Sequence, residues 1–230
     1  MMRRLFAEGI GSLILAAAVI GSGIMAERLA GGNLAVALIA NTGATVAVLA
    51  TLIALLGPVS GAHFNPAVSF VLAVRGVLSW RMASAYALVQ IAGCCAGAIL
   101  AHAMFGLPLI QSSLHARTGL GQWLGECVAT LGLLLIVLGH RRAEEAPWMV
   151  ACWIGAAYWF TSSTSFANPA ITIARSLSNT FAGIAPAHVL AFIAAQILGA
   201  LAAIPLARAL FAAQAAVPTP NGSAPASPTL

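Results

Sequence analysis

Two identical triplets, Asn65-Pro66-Ala67 and Asn168-Pro169-Ala170, stand 103 positions apart and are the residues of this chain best suited to a chemical task. Asn before Pro is a good helix start by itself, because the Asn side chain caps free N–H groups and Pro tolerates the first turn. A single triplet is therefore explained as well by capping as by function; a repeated one asks for more. Glu8 and Glu126 are carboxylates in apolar surroundings, where a charge is costly and faces a protein interior or a wet cavity. His63 lies beside the first triplet and Arg175 beyond the second, and His63 has no second ligand to make a metal site. Cys94, Cys95, Cys127 and Cys152 sit in apolar runs with no zinc spacing and read as packing residues. No metal and no cofactor are expected.

The elements that must position these groups belong to a membrane. The 230 residues are 61% hydrophobic and 7% charged, far from the roughly 25% charge of soluble domains. There is no Asp and no Lys, and ten Arg spread along the chain make no nucleic-acid patch. With five Glu, no His-Glu-x-x-His and no Gly-x-Ser-x-Gly, an intramembrane enzyme finds no support.

Apolar segments of bilayer-spanning length fall at about 5–25, 34–56, 82–105, 121–139, 147–164 and 187–211, which predicts six spans. The start, Met1-Met2-Arg3-Arg4 and an apolar run, resembles a signal peptide, but the run continues past Glu8 to about Met25 and reads as a first span. Two shorter pieces, 66–75 and 169–178, begin at the triplet prolines and are too short to cross; they are expected to be re-entrant half-helices. Pro147, Pro186 and Gly76 punctuate helix ends, and residues 213–230, rich in Ala, Pro and Ser, read as a disordered tail. Arg3, Arg4, Arg75, Arg81, Arg141, Arg142 and Arg208 fall on one side of this topology, with Arg28, Arg117 and Arg175 on the other. That bias predicts a multi-pass protein of the inner (plasma) membrane with both termini cytoplasmic.

The halves repeat. Ala7-Glu8-Gly9-Ile10 matches Gly125-Glu126-Cys127-Val128, and Gln90-Ile91-Ala92-Gly93 matches Gln196-Ile197-Leu198-Gly199. Three spans per half is an odd number, so the halves, roughly 1–106 and 119–212, insert with opposite orientation. The half-helices then meet near the midplane with their amino ends facing, each carrying about half a positive charge. Non-helical backbone at that depth is tolerable where it lines a watery cavity. Gly61, Ala62, His63 and Phe64, and Ser163 to Ala167 including Thr164, approach the triplets and offer carbonyls to a pathway. The arrangement predicts a pore for small uncharged solutes.

The stretch Ser60-Gly61-Ala62-His63-Phe64-Asn65-Pro66-Ala67-Val68, the second Asn-Pro-Ala and the paired Glu and Gln positions resemble the aquaporin family of major intrinsic proteins, over roughly residues 5–211. The resemblance implies an all-α hourglass of six transmembrane helices and two re-entrant half-helices, with residues 1–212 as the channel domain. It implies a homotetramer in the lipid bilayer with one pore per subunit, passing water, glycerol or similar solutes while excluding protons and cations. It makes Glu8 and Glu126 acceptors for the re-entrant loops, and His63 a pore-loop residue. The family's four constriction positions fall, by counting from the triplets, on Thr45, Ala156, Ser165 and Ile171.

Most family members place an Arg where this chain has Ile171. A quartet without Arg, His or aromatic ring implies a wider, less polar gate than a strict water channel has. Arg175, one helical turn beyond Ile171, either lines the outer vestibule or snorkels to the outer interface. The segment from Ser163 to Arg175 resembles bacterial aquaglyceroporins encoded beside arsenic-resistance genes, which implies arsenite or methylarsenite as further solutes. A secondary transporter is the alternative, since inverted repeats with broken helices also build carriers.

Overall fold

The computed structural model describes residues 1–140 and 142–211; the expected disordered tail and Arg141 lie outside the described residues. All regular structure among them is helical. The first half holds α1 (Met2–Leu29), α2 (Leu34–Ser60), the short α3 (Pro66–Val74) and α4 (Trp80–Met104). The second repeats the order with α5 (Leu120–Gly139), α6 (Ala146–Phe160), the short α7 (Pro169–Arg175) and α8 (Pro186–Phe211). Among the described residues five helices, α1, α2, α4, α5 and α8, are long and apolar enough to cross a membrane.

The predicted span 147–164 is the exception. Helix α6 has 15 residues, about 22 Å at 1.5 Å per residue. It stops at Phe160 because the chain must turn inward: Thr164, Ser165 and Ala167 all take positive φ, which no right-handed helix accommodates. The half-helices also end slightly earlier than their apolar runs, at Val74 and Arg175.

Packing follows the repeat. Helix α1 lies against α4 as α5 lies against α8, and α2 packs on α6 across the two halves. Close approach depends on small residues. A Cβ on Gly93 would strike the Gly9 carbonyl, and one on Gly199 would strike the Cys127 carbonyl. These two contacts are the same contact in each repeat, since Gly9 aligns with Cys127 and Gly93 with Gly199. Between the halves, residues 105–119 run beside the segment after α7. Gln111 and Ser113 N–H groups donate to Leu177 and Ser176 carbonyls, each at 3.0 Å, and Ala185 N–H donates to His115 O at 2.7 Å.

Candidate functional site: a pore waist at two facing half-helices

Each triplet asparagine does two jobs. Asn65 Oδ1 accepts from Ala67 N–H at 2.9 Å, and Asn168 Oδ1 accepts from Ala170 and Ile171 N–H at 3.0 and 3.3 Å. Their amides then cross to the opposite loop: Asn65 Nδ2 donates to Ala167 O and Asn168 Nδ2 to Phe64 O, both at 2.8 Å. The half-helices are thereby bolted amino end to amino end, with Pro66 and Pro169 at the first turn of each. Each amide keeps one further N–H, since only one of its two hydrogens is used in these bonds.

The approach to each triplet is held in an uncommon backbone shape. Gly61, Ala62 and Phe64 have positive φ, as do Thr164, Ser165 and Ala167, their counterparts 103 residues on. Such conformations cost non-glycine residues about 1–3 kcal/mol each and persist only when surroundings enforce them. The enforcing groups are the two buried glutamates. Glu8 accepts from Ser60 Oγ (2.6 Å), His63 N (3.0 Å), Phe64 N (2.8 Å) and Gln90 Nε2 (2.8 Å). Glu126 accepts from Phe166 N (2.8 Å), Ala167 N (2.9 Å) and Gln196 Nε2 (2.6 Å). Both carboxylates are fully buried and spent on loop and glutamine donors, which leaves them no role as an acid–base pair. His63 Nδ1 lies 3.0 Å from Ser69 Oγ and its ring packs edge-on against Tyr86. No cluster of three metal-ligating side chains occurs among the described residues.

A cavity of about 830 Å³ runs past this waist, from His140 and Glu144 at the α5–α6 end to Arg175 at the other. Asn65, Asn168, Gly61, Ala62 and His63 border it, as do Thr45, Ser165 and Ile171. Pro66, Ala67, Pro169 and Ala170 stand behind the asparagines and do not. Thr164 does not border it either; its hydroxyl lies 3.4 Å from Arg117 Nη1.

Ala156 is a correction. It is exposed on the outside of α6, because α6 turns Ile154 and Tyr158 to the cavity instead. The expected position rests on spacing from the triplets alone, whereas the packing of α6 on α2 presents the residue two further on, Tyr158, to the cavity. The Tyr158 hydroxyl comes within 3.4 Å of Thr45 Oγ1, bridging α6 and α2. A tyrosine inside an apolar span needs a partner for its hydroxyl, and that was the available signal.

Arg175 does not snorkel. It is 2% exposed, its Nε donates to Ala182 O, and its guanidinium carbon stacks 3.4 Å from the centroid of the Phe166 ring. Arg117 had no sequence signal beyond its side of the membrane. From the inter-repeat loop it donates to Gly183 O (2.7 Å), Ser163 O (3.2 Å) and Phe181 O (3.3 Å), and its guanidinium lies 5.1 Å from the same Phe166 ring. Burial pulls its guanidinium below the ordinary arginine pKa, and the Glu126 carboxylate opposes that shift.

Inverted halves, facing half-helices and a lined passage define the site of a membrane channel. The fold matches the X-ray structure of the aquaglyceroporin from Plasmodium falciparum with a TM-score of 0.69 at 18% identity, covering 90% of this chain and 99% of that one. A family model described as "Major intrinsic protein" matches residues 1–161. Aquaglyceroporin AqpS of Rhizobium meliloti (strain 1021) is 50% identical over 208 residues, 90% of this chain and 89% of that protein. Aquaporin NIP1-4 of Oryza sativa subsp. japonica is 34% identical over 101 residues, 41% of this chain and 36% of that protein. The chain belongs to the major intrinsic protein family and is a multi-pass membrane channel for small solutes.

Proposed function

We propose that this channel conducts small uncharged solutes passively, with water and glycerol among them, and that it extends to trivalent arsenic species such as arsenite or methylarsenite. The observation that carries this reading is the crossed pair of asparagine bonds at a waist whose neighbouring position is Ile171 rather than a cation. A solute oxygen reaching the waist meets two helix amino ends and two free amide hydrogens, all donors. A neutral oxygen is served by these; a cation meets the same positive potential as a barrier, and protons are excluded with it. We read Thr45, Ser165 and Ile171, with Tyr158 in place of Ala156, as the lining of the selectivity stretch; all four border the cavity. Its mix of hydroxyl and apolar surface suits an undissociated hydroxide or an uncharged organic arsenical.

Each subunit of a homotetramer carries one such pore in the inner (plasma) membrane, with both termini cytoplasmic. The exposed apolar side chains of α1, α2 and α8, such as Phe6, Ile39 and Leu190, suit lipid or neighbouring subunits.

Stopped-flow light scattering on purified protein in vesicles tests the reading with water, glycerol and methylarsenite. Flux should rise linearly with gradient and ignore membrane potential. Saturable, proton-coupled flux would establish the carrier alternative instead, and an absent arsenic flux would remove that solute class. Replacing the missing cation, Ile171→Arg, should lower glycerol flux more than water flux.

A further inference from the structure

The three arginines at the outer end of the bundle are all engaged by protein. Arg28 donates to Phe105 O, Arg117 to Gly183 O, Ser163 O and Phe181 O, and Arg175 to Ala182 O. At the opposite end of the first half the pattern reverses. Arg3 and Arg4 open α1, Arg75 is the C-cap of α3 and Arg81 lies in the first turn of α4; all four are exposed. Among the described residues none of these four side chains has a hydrogen-bond or ion-pair partner, and the ion pair that does form joins Arg142 to Glu145 in the second half. No exposed carboxylate balances them, because Glu8 is buried and Glu27 lies at the outer end of α1. The arginine bias between membrane sides accounts for the side but not for this crowding. The second half meets the same side with Arg141, Arg142 and Arg208 offset by Glu144 and Glu145.

The patch is apolar between its charges, since Phe6, Val77 and Trp80 are also exposed there. A soluble acidic partner would leave these rings and aliphatic groups poorly matched, whereas the headgroup layer of a bilayer takes aromatic side chains and arginines together. A recess of about 270 Å³ opens within the patch, bordered by Arg4, Ser60, Gly61, His63, Val77 and Leu78. It is where the start of α1, the end of α2 and the loop after α3 meet. Gly61, His63 and Leu72 border both this recess and the pore cavity.

We propose that this patch binds the headgroup of an anionic lipid from the adjoining leaflet, with the phosphate at Arg4 and its recess and with Arg3, Arg75 and Arg81 around it. Guanidinium groups suit phosphate oxygens because their paired N–H donors match the oxygen spacing and both partners are charged. A zwitterionic headgroup brings a cation of its own, which four arginines repel. Exposed apolar side chains such as Phe6 give the acyl chains a surface beside the headgroup. A lipid seated there ties the start of α1 to the loop that closes α3, and so braces the half-helix that carries the first triplet. The site lies outside the pore, and the choice of solute does not enter its test.

The full chain in detergent is titrated with dioleoylphosphatidylglycerol, dioleoylphosphatidylcholine, inorganic phosphate and polyglutamate, with thermal melting as the readout. Phosphatidylglycerol should raise the melting temperature saturably, and phosphatidylcholine should not. Arg4→Gln and Arg81→Gln should each weaken the apparent affinity about fivefold, the scale of one arginine at a charged membrane surface. Combined with Arg75→Gln, they should abolish the saturable rise. Arg208→Gln, on the same side of the second half, should leave it unchanged. Lipid-free melting of every variant should match wild type, since the substituted side chains have no protein partners; native mass spectrometry counts bound lipid in any variant that melts early. Equal effects of the two lipids overturn the proposal. So does an equal rise with inorganic phosphate, which would make this a site for soluble anions, or with polyglutamate, which would make it a docking face for an acidic protein. Losses in Arg208→Gln as large as those in Arg4→Gln also overturn it, by reducing the site to diffuse surface charge.

Discussion

Replacing Glu8 with Gln removes a charge and exchanges one acceptor oxygen for an NH2 group, and the cost follows from the four donors around it. Ser60 Oγ and His63 N use Oε1, while Phe64 N and Gln90 Nε2 use Oε2. If the new amide nitrogen takes the Oε2 side, Gln90 can flip to present its unpartnered Oε1, but Phe64 N–H is stranded. If it takes the Oε1 side, Ser60 can turn its hydroxyl to accept, but His63 N–H is stranded. Either way one buried backbone donor is left without a partner, at about 1–3 kcal/mol, and the remaining bonds lose their charge assistance. A total near 2–4 kcal/mol lowers the melting temperature by about 4–16 °C, at roughly 2–4 °C per kcal/mol for a chain of this size. Thermal unfolding of the detergent-purified variant, followed by tryptophan fluorescence, measures it. Glu126→Gln should behave alike, since its three donors include two adjacent backbone N–H groups and Gln196. Melting temperatures within 2 °C of wild type for both variants would refute the claim that these carboxylates hold the loops.

Two further outcomes follow from the packing. Gly199→Ala pushes a Cβ into the Cys127 backbone, so α5 and α8 must part, and stability should fall by about 1–3 kcal/mol in the same melting assay. Gly43→Ala, with nothing within 4 Å of its new Cβ, should lose none. Arg117→Ala removes the clasp between the inter-repeat loop and the segment around Gly183, so amide exchange at Gln111, Ser113 and Ala185 should quicken by about tenfold or more. Unchanged exchange there would show that the backbone bonds alone hold the loop.

Much of this channel was legible in the chain itself. Apolar runs too long for anything but a bilayer, two short runs starting at Asn-Pro, and Glu and Gln pairs at matching offsets determined the helices, the half-helices and the inverted repeat. They do so because a membrane leaves few options: backbone must be helical or line a cavity, and buried charge must be spent on donors. The outer stretch was not legible in the same way. Which α6 side chain faces the cavity depends on how that helix is rotated against α2, a contact between the two halves; Tyr158 meets Thr45 there and Ala156 points outward. Arg117 reaches Ser163 and Gly183 from 46 and 66 residues away, a distance no local pattern encodes. Arg175 had two open fates in the sequence, and only the stacking of its guanidinium on Phe166 chose between them. Periodicity and burial cost fix what every part of the chain must become, while the side chains that meet a solute are chosen by contacts between distant segments, which exist only once the halves have closed.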